Sequence, residues 1–328
     1  MMQNRLIRRQ IIANIICITV CISYIYSQNC ADGFTYFGEL PETATITSGD
    51  SCLYKVDLDA LNDIINENSL EYSSPIYIGV QTWQNRRLLG LVASYNPNGS
   101  GGVNAQLTVL PESFGDLSNL AFLYLEWNRL ISLPSSFSQL TSLLSLTINN
   151  NWLTSLPEDF GNMNLLYFLD LGYNQLSAIP ESICNMTNLQ YLYLFNNEIT
   201  TIPDCTCTFD IDWDGFDGGG FPYFGIGGNN LCPCTEDVPD CIENSSNFEL
   251  TLDQFYYSIP MIAPQVCIQG DLNGDGNWNV LDIVNLANCV LAQNCAELVH
   301  GSAGDMNSDG NYNVLDIVTL ANCILDQN

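Results

Sequence analysis

The chain has 328 residues, 47% of them hydrophobic, enough for a buried core and for more than one folded unit. Seven basic residues stand against 36 acidic ones, a formal net charge of −29. A surface that acidic repels phosphate backbones and excludes nucleic acid as a partner.

Residues 1–27 read as an export leader. Arg5, Arg8 and Arg9 form a basic start, an apolar run follows from Ile11 to Ile25, and Ser27 supplies a small residue before a cleavage point. The alternative is an uncleaved membrane anchor, but the apolar run is short for a bilayer span, and no other segment is apolar enough to cross one. The expected location is therefore secreted, extracellular or at the cell surface. Loss of Cys17 and Cys21 with the leader leaves twelve of 14 cysteines, an even number that suggests disulfides in an exported chain.

Residues 28–87 are expected to form an amino-terminal cap, with an amphipathic helix over Val56–Ile65 and Cys30 joined to Cys52. From Leu88 to Pro203 the chain is periodic. Pro111, Pro134, Pro157, Pro180 and Pro203 are each 23 residues apart, and Asn128, Asn151, Asn174 and Asn197 keep the same step. Four strand cores align with them: Leu120–Leu123–Leu125, Leu143–Leu146–Ile148, Leu166–Leu169–Leu171 and Leu189–Leu192–Leu194. Each unit is too small to bury its own apolar face, so the units must stack into a solenoid, with the cap covering its open edge. Each asparagine amide is placed to satisfy backbone groups turned inward from water. Phe114, Phe137, Phe160 and Ile183 follow the Leu-Pro or Ile-Pro step and fill the convex side.

This pattern resembles the leucine-rich repeat family, in its LxxLxLxxNxLxxLPxxFxxLxxL form. The resemblance implies a curved parallel sheet whose concave face is open to partners. It covers 88–203 and, more weakly, 224–232, where Phe224, Ile226, Asn229 and Leu231 repeat the spacing. Two departures stand out: a Gly/Asn-rich insertion at Asn96–Asn104, and a step from Asn197 to Asn229 lengthened to 32 residues by residues 204–223.

Residues 204–241 hold Cys205, Cys207, Cys232, Cys234 and Cys241, with Cys184 just upstream, and read as a disulfide-bearing carboxy-terminal cap around the last repeat. Residues 242–268 show no period and read as a linker. Asp210, Asp212, Asp214 and Gly215 imitate the start of an ion-binding loop, but Phe221 offers no oxygen at its twelfth position. An acidic surface turn is the reading, with a weak third ion site as the alternative.

Residues 269–328 form a self-similar module: Gly270–Leu291 and Gly304–Leu325 align at an offset of 34. Oxygen-bearing side chains stand at loop positions 1, 3, 5 and 12, with glycine at 6. These are Asp271, Asn273, Asp275, Asp282 and Gly276, then Asp305, Asn307, Asp309, Asp316 and Gly310. Several oxygens around a sharp turn suit Ca²⁺, a hard ion. Asn277 and Asn311 would offer carbonyls, and Asn279 and Asn313 would act through water. A helix should follow each loop, the first burying Ile283, Val284, Leu286, Ala287, Val290 and Leu291 along one stripe. The pair resembles the dockerin family, which implies two calcium sites and docking onto a cohesin-like receptor. In that family loop positions 10 and 11 help choose the receptor; here they are the apolar Val280–Leu281 and Val314–Leu315. For the cysteines, one solution pairs Cys289 with Cys295 and Cys267 with Cys323; the rival pairs Cys289 with Cys323.

The expected fold class is thus α/β: a leucine-rich repeat solenoid followed by a small α-helical calcium-binding domain. Sixteen outward strand positions are expected to face water, and eight are aromatic. Phe122, Tyr124, Glu126, Trp127, Phe168, Asp170, Tyr173, Tyr191, Tyr193 and Phe195 are the expected ligand-binding residues, since exposed aromatic clusters often mark recognition surfaces; the alternative is that the rings merely cover the sheet and one another. The partner is a protein or a glycan, and no catalytic residue is expected. His300 is the single histidine, and no nucleophile motif or phosphate loop is present. Two other readings carry the same architecture. One is an accessory part of a polysaccharide-degrading assembly. The other is a glycosidase using Glu126 and Asp170, about 10 Å apart on strands two removed.

Overall fold

The computed structural model describes residues 30–98, 101–232, 238–255, 258–265, 269–298, 300–307 and 309–326. The expected leader at 1–27, together with Cys234 and Cys267, lies outside the described residues. No helix of the described residues is long and apolar enough to cross a membrane.

The amino-terminal cap comprises β1 (Phe34–Tyr36), β2 (Ala44–Ser48), β3 (Cys52–Tyr54), α1 (Lys55–Glu67), β4 (Val80–Gln84) and β5 (Arg87–Val92). Cys30 is bonded to Cys52 and β1 pairs antiparallel with β3. Helix α1 buries Leu58, Leu61, Ile64 and Ile65 against the first repeat. A buried ion pair fastens it there. The Asp57 carboxylate, fully out of water, accepts from Arg87 Nε and Nη2 at 2.9 Å each and from the Leu88 amide at 2.8 Å.

Five further strands follow at one per repeat: β6 (Phe122–Tyr124), β7 (Ser145–Thr147), β8 (Phe168–Asp170), β9 (Tyr191–Tyr193) and β10 (Phe224–Gly225). They complete an eight-stranded sheet of order β10-β9-β8-β7-β6-β5-β4-β2, parallel except between β4 and β5. The register is set by the inward leucines: Leu91, Leu123, Leu146, Leu169 and Leu192 are successive partners, all buried. Slipping one strand by a residue would turn its leucine outward, so the pattern fixes the pairing.

On the convex side Pro111, Pro134, Pro180 and Pro203 each precede a short 3₁₀ turn, a further one runs over Phe160–Asn162, and Phe114, Phe137, Phe160 and Ile183 point inward. Phe114 stacks on Phe137 at 5.7 Å and Phe137 on Phe160 at 6.3 Å between ring centroids. The asparagine ladder joins one unit to the next. Leu130, Leu153, Leu176 and Ile199 each donate their amide, at 3.0 Å, to the Oδ1 of Asn151, Asn174, Asn197 and Asn229. The Asn151 Nδ2 returns two bonds, to the Leu125 carbonyl at 3.0 Å and the Ile148 carbonyl at 3.1 Å. Asn229 keeps the ladder going, and β10 pairs with β9, so the unit beyond the long step is a true repeat. Just before each ladder asparagine the backbone is left-handed, at Trp127, Asn150, Tyr173, Asn196 and Gly228, with φ between 53° and 73°.

The carboxy-terminal cap is held by the Cys184–Cys205 and Cys207–Cys241 disulfides and includes α2 (Asp240–Glu243). The expected linker is largely not one. Residues 242–255 and 258–265 fold back on the repeats and carry a hairpin of β11 (Leu250–Leu252) and β12 (Pro260–Ile262), antiparallel to each other. The terminal module has two 13-residue helices, α3 (Val280–Ala292) and α4 (Val314–Asp326), over a small core of its own.

Replacing Asn151 by Ala should destabilise the repeats by about 2 kcal/mol, because it leaves the buried Leu130 amide without its acceptor and takes one donor each from the Leu125 and Ile148 carbonyls, which keep Asn128 and Asn174. Denaturant unfolding of that variant, beside Trp152→Ala at an exposed neighbour, checks this; the second change should stay within about 0.5 kcal/mol.

Candidate functional sites: the concave sheet and the paired loops

The expected ligand residues do stand on the concave face, but the structure divides them into two halves. Phe122, Tyr124, Glu126 and Trp127, on β6 and its turn, remain half-exposed. Further along, the expectation of sixteen water-facing positions is corrected. Tyr193, Phe195 and Asp170 are buried, and so are Ser145, Thr147, Asn149 and Asn150. Phe168, Tyr173 and Tyr191 are partly buried and packed against them.

The physical reason is that two segments of the chain lie over this wall. The first is the insertion at 204–223: Tyr193 donates its hydroxyl proton to the Pro222 carbonyl at 2.7 Å, and Tyr191 to Asp217 Oδ2 at 3.1 Å. The second is the hairpin. Tyr173 donates to the Leu252 carbonyl at 2.6 Å, Asn196 Nδ2 to Thr251 Oγ1 at 2.5 Å, and Gln254 Nε2 to Asn150 Oδ1 at 2.8 Å. Leu252 is 1% exposed and shares a cluster with Tyr193 and Phe195. The β10 turn adds main-chain bonds, from Gly227 to Leu250 and from Gly228 to Ala263.

The rings also pack on one another. Phe168 meets Tyr191 at 5.4 Å and Tyr193 edge-on at 5.5 Å, and Tyr173 meets Phe195 edge-on at 5.7 Å. Gly172 permits this, since a Cβ there would run into the Phe195 ring. Burial pushes the Tyr191 hydroxyl up to about 12, and it raises Tyr193 further above the ordinary value of 10.0.

The two carboxylates of the concave face are each engaged by neighbours of their own. Asp170, 1% exposed, accepts from Asn149 Nδ2 at 2.6 Å and from the Gly172 amide at 2.9 Å. Glu126 accepts from the Ser94 hydroxyl, and burial raises its carboxyl above the usual range.

In the terminal module the two loops are built alike. Asp271 accepts from the amides of Gly274, Asp275 and Gly276, and Asp305 from those of Asp309 and Gly310. Gly276 and Gly310 take φ of 78° and 77°, the sharp turn that places these amides over the first carboxylate. Asp282 and Asp316 are buried at the helix starts. Asp282 accepts from Asn273 and Asn279, and Asp316 from Met306 and Asn313. Asn273 and Asn307 reach Asp275 and Asp309 at 3.0 and 3.1 Å, whose carboxyls are held low chiefly by the amides of Asn277 and Asn311. Asn279 and Asn313 accept from Leu281 and Leu315, so their Oδ1 atoms cap the helices. The approaches to the two loops meet through the Gly270 amide, which donates to the Ala303 carbonyl.

The helix stripe is corrected in part. Leu286 is buried, but Val284 and Leu291 are exposed, because the neighbouring helix covers only part of α3. Cys289 is bonded to Cys295, which removes the Cys289–Cys323 pairing. The acidic turn at 210–215 is committed to structure: Asp214 accepts the Ser246 amide at 2.6 Å, and Asn247 and Ser245 bond the Trp213 carbonyl.

Residues 166–205 match the family model for leucine-rich repeats (two copies), and residues 269–325 match the dockerin type I domain. The chain carries leucine-rich repeats and a dockerin type I domain. Among solved structures it is similar to a leucine-rich repeat protein from Leptospira interrogans, at 24% identity over 55% of this chain and 44% of that one, with TM-score 0.35. It is also similar to a plant ice-binding protein, at 23% identity over 55% and 57%, with TM-score 0.41. A third is the leucine-rich repeat ectodomain of the receptor kinase SOBIR1 from Arabidopsis thaliana, at 23% identity over 55% and 96%, with TM-score 0.44. The chain thus spans under half of the first of these proteins and just over half of the second. No curated protein matches it. Leucine-rich repeats bind proteins, dockerins bind cohesin-type partners, and both are typically non-catalytic. Dockerins usually occur on secreted or cell-surface proteins, and the disulfides fit an extracellular chain.

Two outcomes are expected from the covered wall. Leu252→Asp should lift the hairpin, so that hydroxyl-radical labelling of Tyr193 rises toward that of the open Tyr77, at a cost of roughly 3 kcal/mol or more. The raised tyrosine hydroxyls also set an alkaline limit. Below pH about 10 these phenols stay neutral in both states; above it the unfolded chain ionises first, and stability falls as the pH climbs through the folded values. Unfolding midpoints between about pH 9 and 12 should therefore drop in the native chain, and less steeply in Tyr193→Phe.

Proposed function

We propose that this chain is a secreted, non-catalytic binding protein. Its repeats recognise a protein on the open, β6 half of the concave sheet, and its dockerin domain attaches it through two calcium-dependent loops to a cohesin-like receptor, a complex or a surface. The observation that carries the attachment reading is the pairing of two equivalent loops with two equivalent exposed apolar steps. Val280 and Leu281 are 65% and 61% exposed, and Val314 and Leu315 are 63% and 58% exposed. Apolar side chains held open at both helix starts suit an interface core better than a solvated surface.

The residues fit calcium. Asp271, Asn273, Asp275 and Asp282 in one loop, and Asp305, Asn307, Asp309 and Asp316 in the other, form hard-oxygen sets around glycine turns, with carbonyls of Asn277 and Asn311 beside them. Bound calcium would neutralise carboxylates that otherwise repel one another. The chain's own part is to aim them: backbone amides orient Asp271 and Asp305, and the helix starts bury Asp282 and Asp316.

Calorimetric titration of the full chain should give two calcium equivalents, one after either Asp271→Ala or Asp305→Ala, and none after both. Two equivalents retained in the double variant would sink the calcium reading. The paired change Leu281→Asp and Leu315→Asp should abolish receptor capture while leaving both equivalents. Capture that survives it, or that ignores a chelator, would place attachment elsewhere.

A further inference from the structure

The hairpin both removes the carboxy-terminal half of the concave face from solvent and adds to the half that stays open. Its base is built in: Leu250, Thr251 and Leu252 are buried, Gln265 donates to the carbonyls of Ile226 and Phe248, and Asn247 is fastened to Trp213. Its tip is different. Phe255 lies over Trp127 at 5.3 Å with only 20° between the rings, and the neighbouring Gln254 is bonded to Asn150. Yet Phe255 is 73% exposed, the most open aromatic ring among the described residues. A ring held in a fixed stack while most of its surface meets water contributes little to the core. It is available to a partner.

The charge around this edge is one-sided. Glu126 stands between Tyr124 and Trp127. The four described cations are engaged elsewhere: Lys55 with Asp59, Arg86 with Asp50, Arg87 with Asp57, and Arg129 over the Trp152 ring at 5.4 Å. Aromatic faces next to a carboxylate in a chain of net charge −29 attract cations, by ring quadrupole and by field.

We infer that the ligand surface is composite: Tyr124, Glu126 and Trp127 of the repeat sheet, walled by Gln254 and Phe255 of the hairpin tip, and suited to a peptide segment that presents arginine or lysine. This rests on the reading of the repeats as a protein-binding sheet and deepens it. Tyr191, Tyr193 and Phe195 then act as the seat of the hairpin, and the segment between the two domains is part of the binding site.

The test uses the full chain and a labelled synthetic peptide of alternating arginine and serine, with a glutamate-and-serine peptide as control, followed by fluorescence anisotropy. The arginine peptide should bind and the control should not. Trp127→Ala and Phe255→Ala should each weaken binding about tenfold, the effect of truncating a central aromatic contact, and Trp152→Ala should leave it unchanged. Unaltered circular dichroism spectra would show that the variants fold. No binding of the arginine peptide, equal binding of the control, or wild-type affinity in both site variants would overturn the composite site. A protein partner that binds Phe255→Ala as well as the native chain would also overturn it while leaving the protein-binding reading intact.

Discussion

A chain that turns once every 23 residues brings a set of backbone amides and carbonyls inward at every turn, away from water and with no strand neighbour. One asparagine per unit resolves this. Its side-chain oxygen takes an amide from the preceding unit, and its nitrogen gives protons to carbonyls of both units. The leucines can then point into a shared core, the strands hold register, and the outer columns line up. Without that ladder the leucines would still set the strand register, but buried backbone groups such as the Leu130 and Leu153 amides would lose their partners at each turn.

Lining up the outer columns creates a second problem, which the chain solves by covering itself. The β8 and β9 region carries too many rings for an open face. Phe168, Tyr173, Tyr191, Tyr193 and Phe195 close over one another, and their hydroxyls are taken up by Leu252, Pro222 and Asp217. The two segments that break the repeat pattern, the insertion at 204–223 and the residues after 242, are the ones that supply this cover. Interruption of the period and occupation of the concave face are thus one feature. Only residues 266–268 separate the described hairpin from the start of the dockerin match, so the cover leads directly into the attachment domain.

Much of the repeat fold was legible because each position reports the same role several times: Leu146 is interpretable because Leu123 and Leu169 repeat it. The loop residues were legible for the same reason, since Asp305 echoes Asp271 in register. The hairpin was not. Its contacts are remote, 79 residues from Tyr173 to Leu252 and 104 from Asn150 to Gln254, and no periodicity encodes them. Two signals were present nonetheless. Leu250–Thr251–Leu252 and Ile259–Pro260–Met261–Ile262 are short β-forming runs around a turn, and eight aromatic rings on one supposedly wet face called for a cover. The left-handed column at Trp127, Asn150, Tyr173 and Asn196 was also hidden, because only its two asparagines are typical of that conformation.

This chain covers part of its own concave sheet. Hydrogen exchange of the native full chain, resolved by mass spectrometry, addresses it directly. Amides of residues 249–253, 259 and 261–263 should exchange as slowly as those of Leu192 and Leu194 in the neighbouring strand. Exchange of the hairpin amides at the rate of an unstructured segment, with Leu192 and Leu194 still protected, would contradict it.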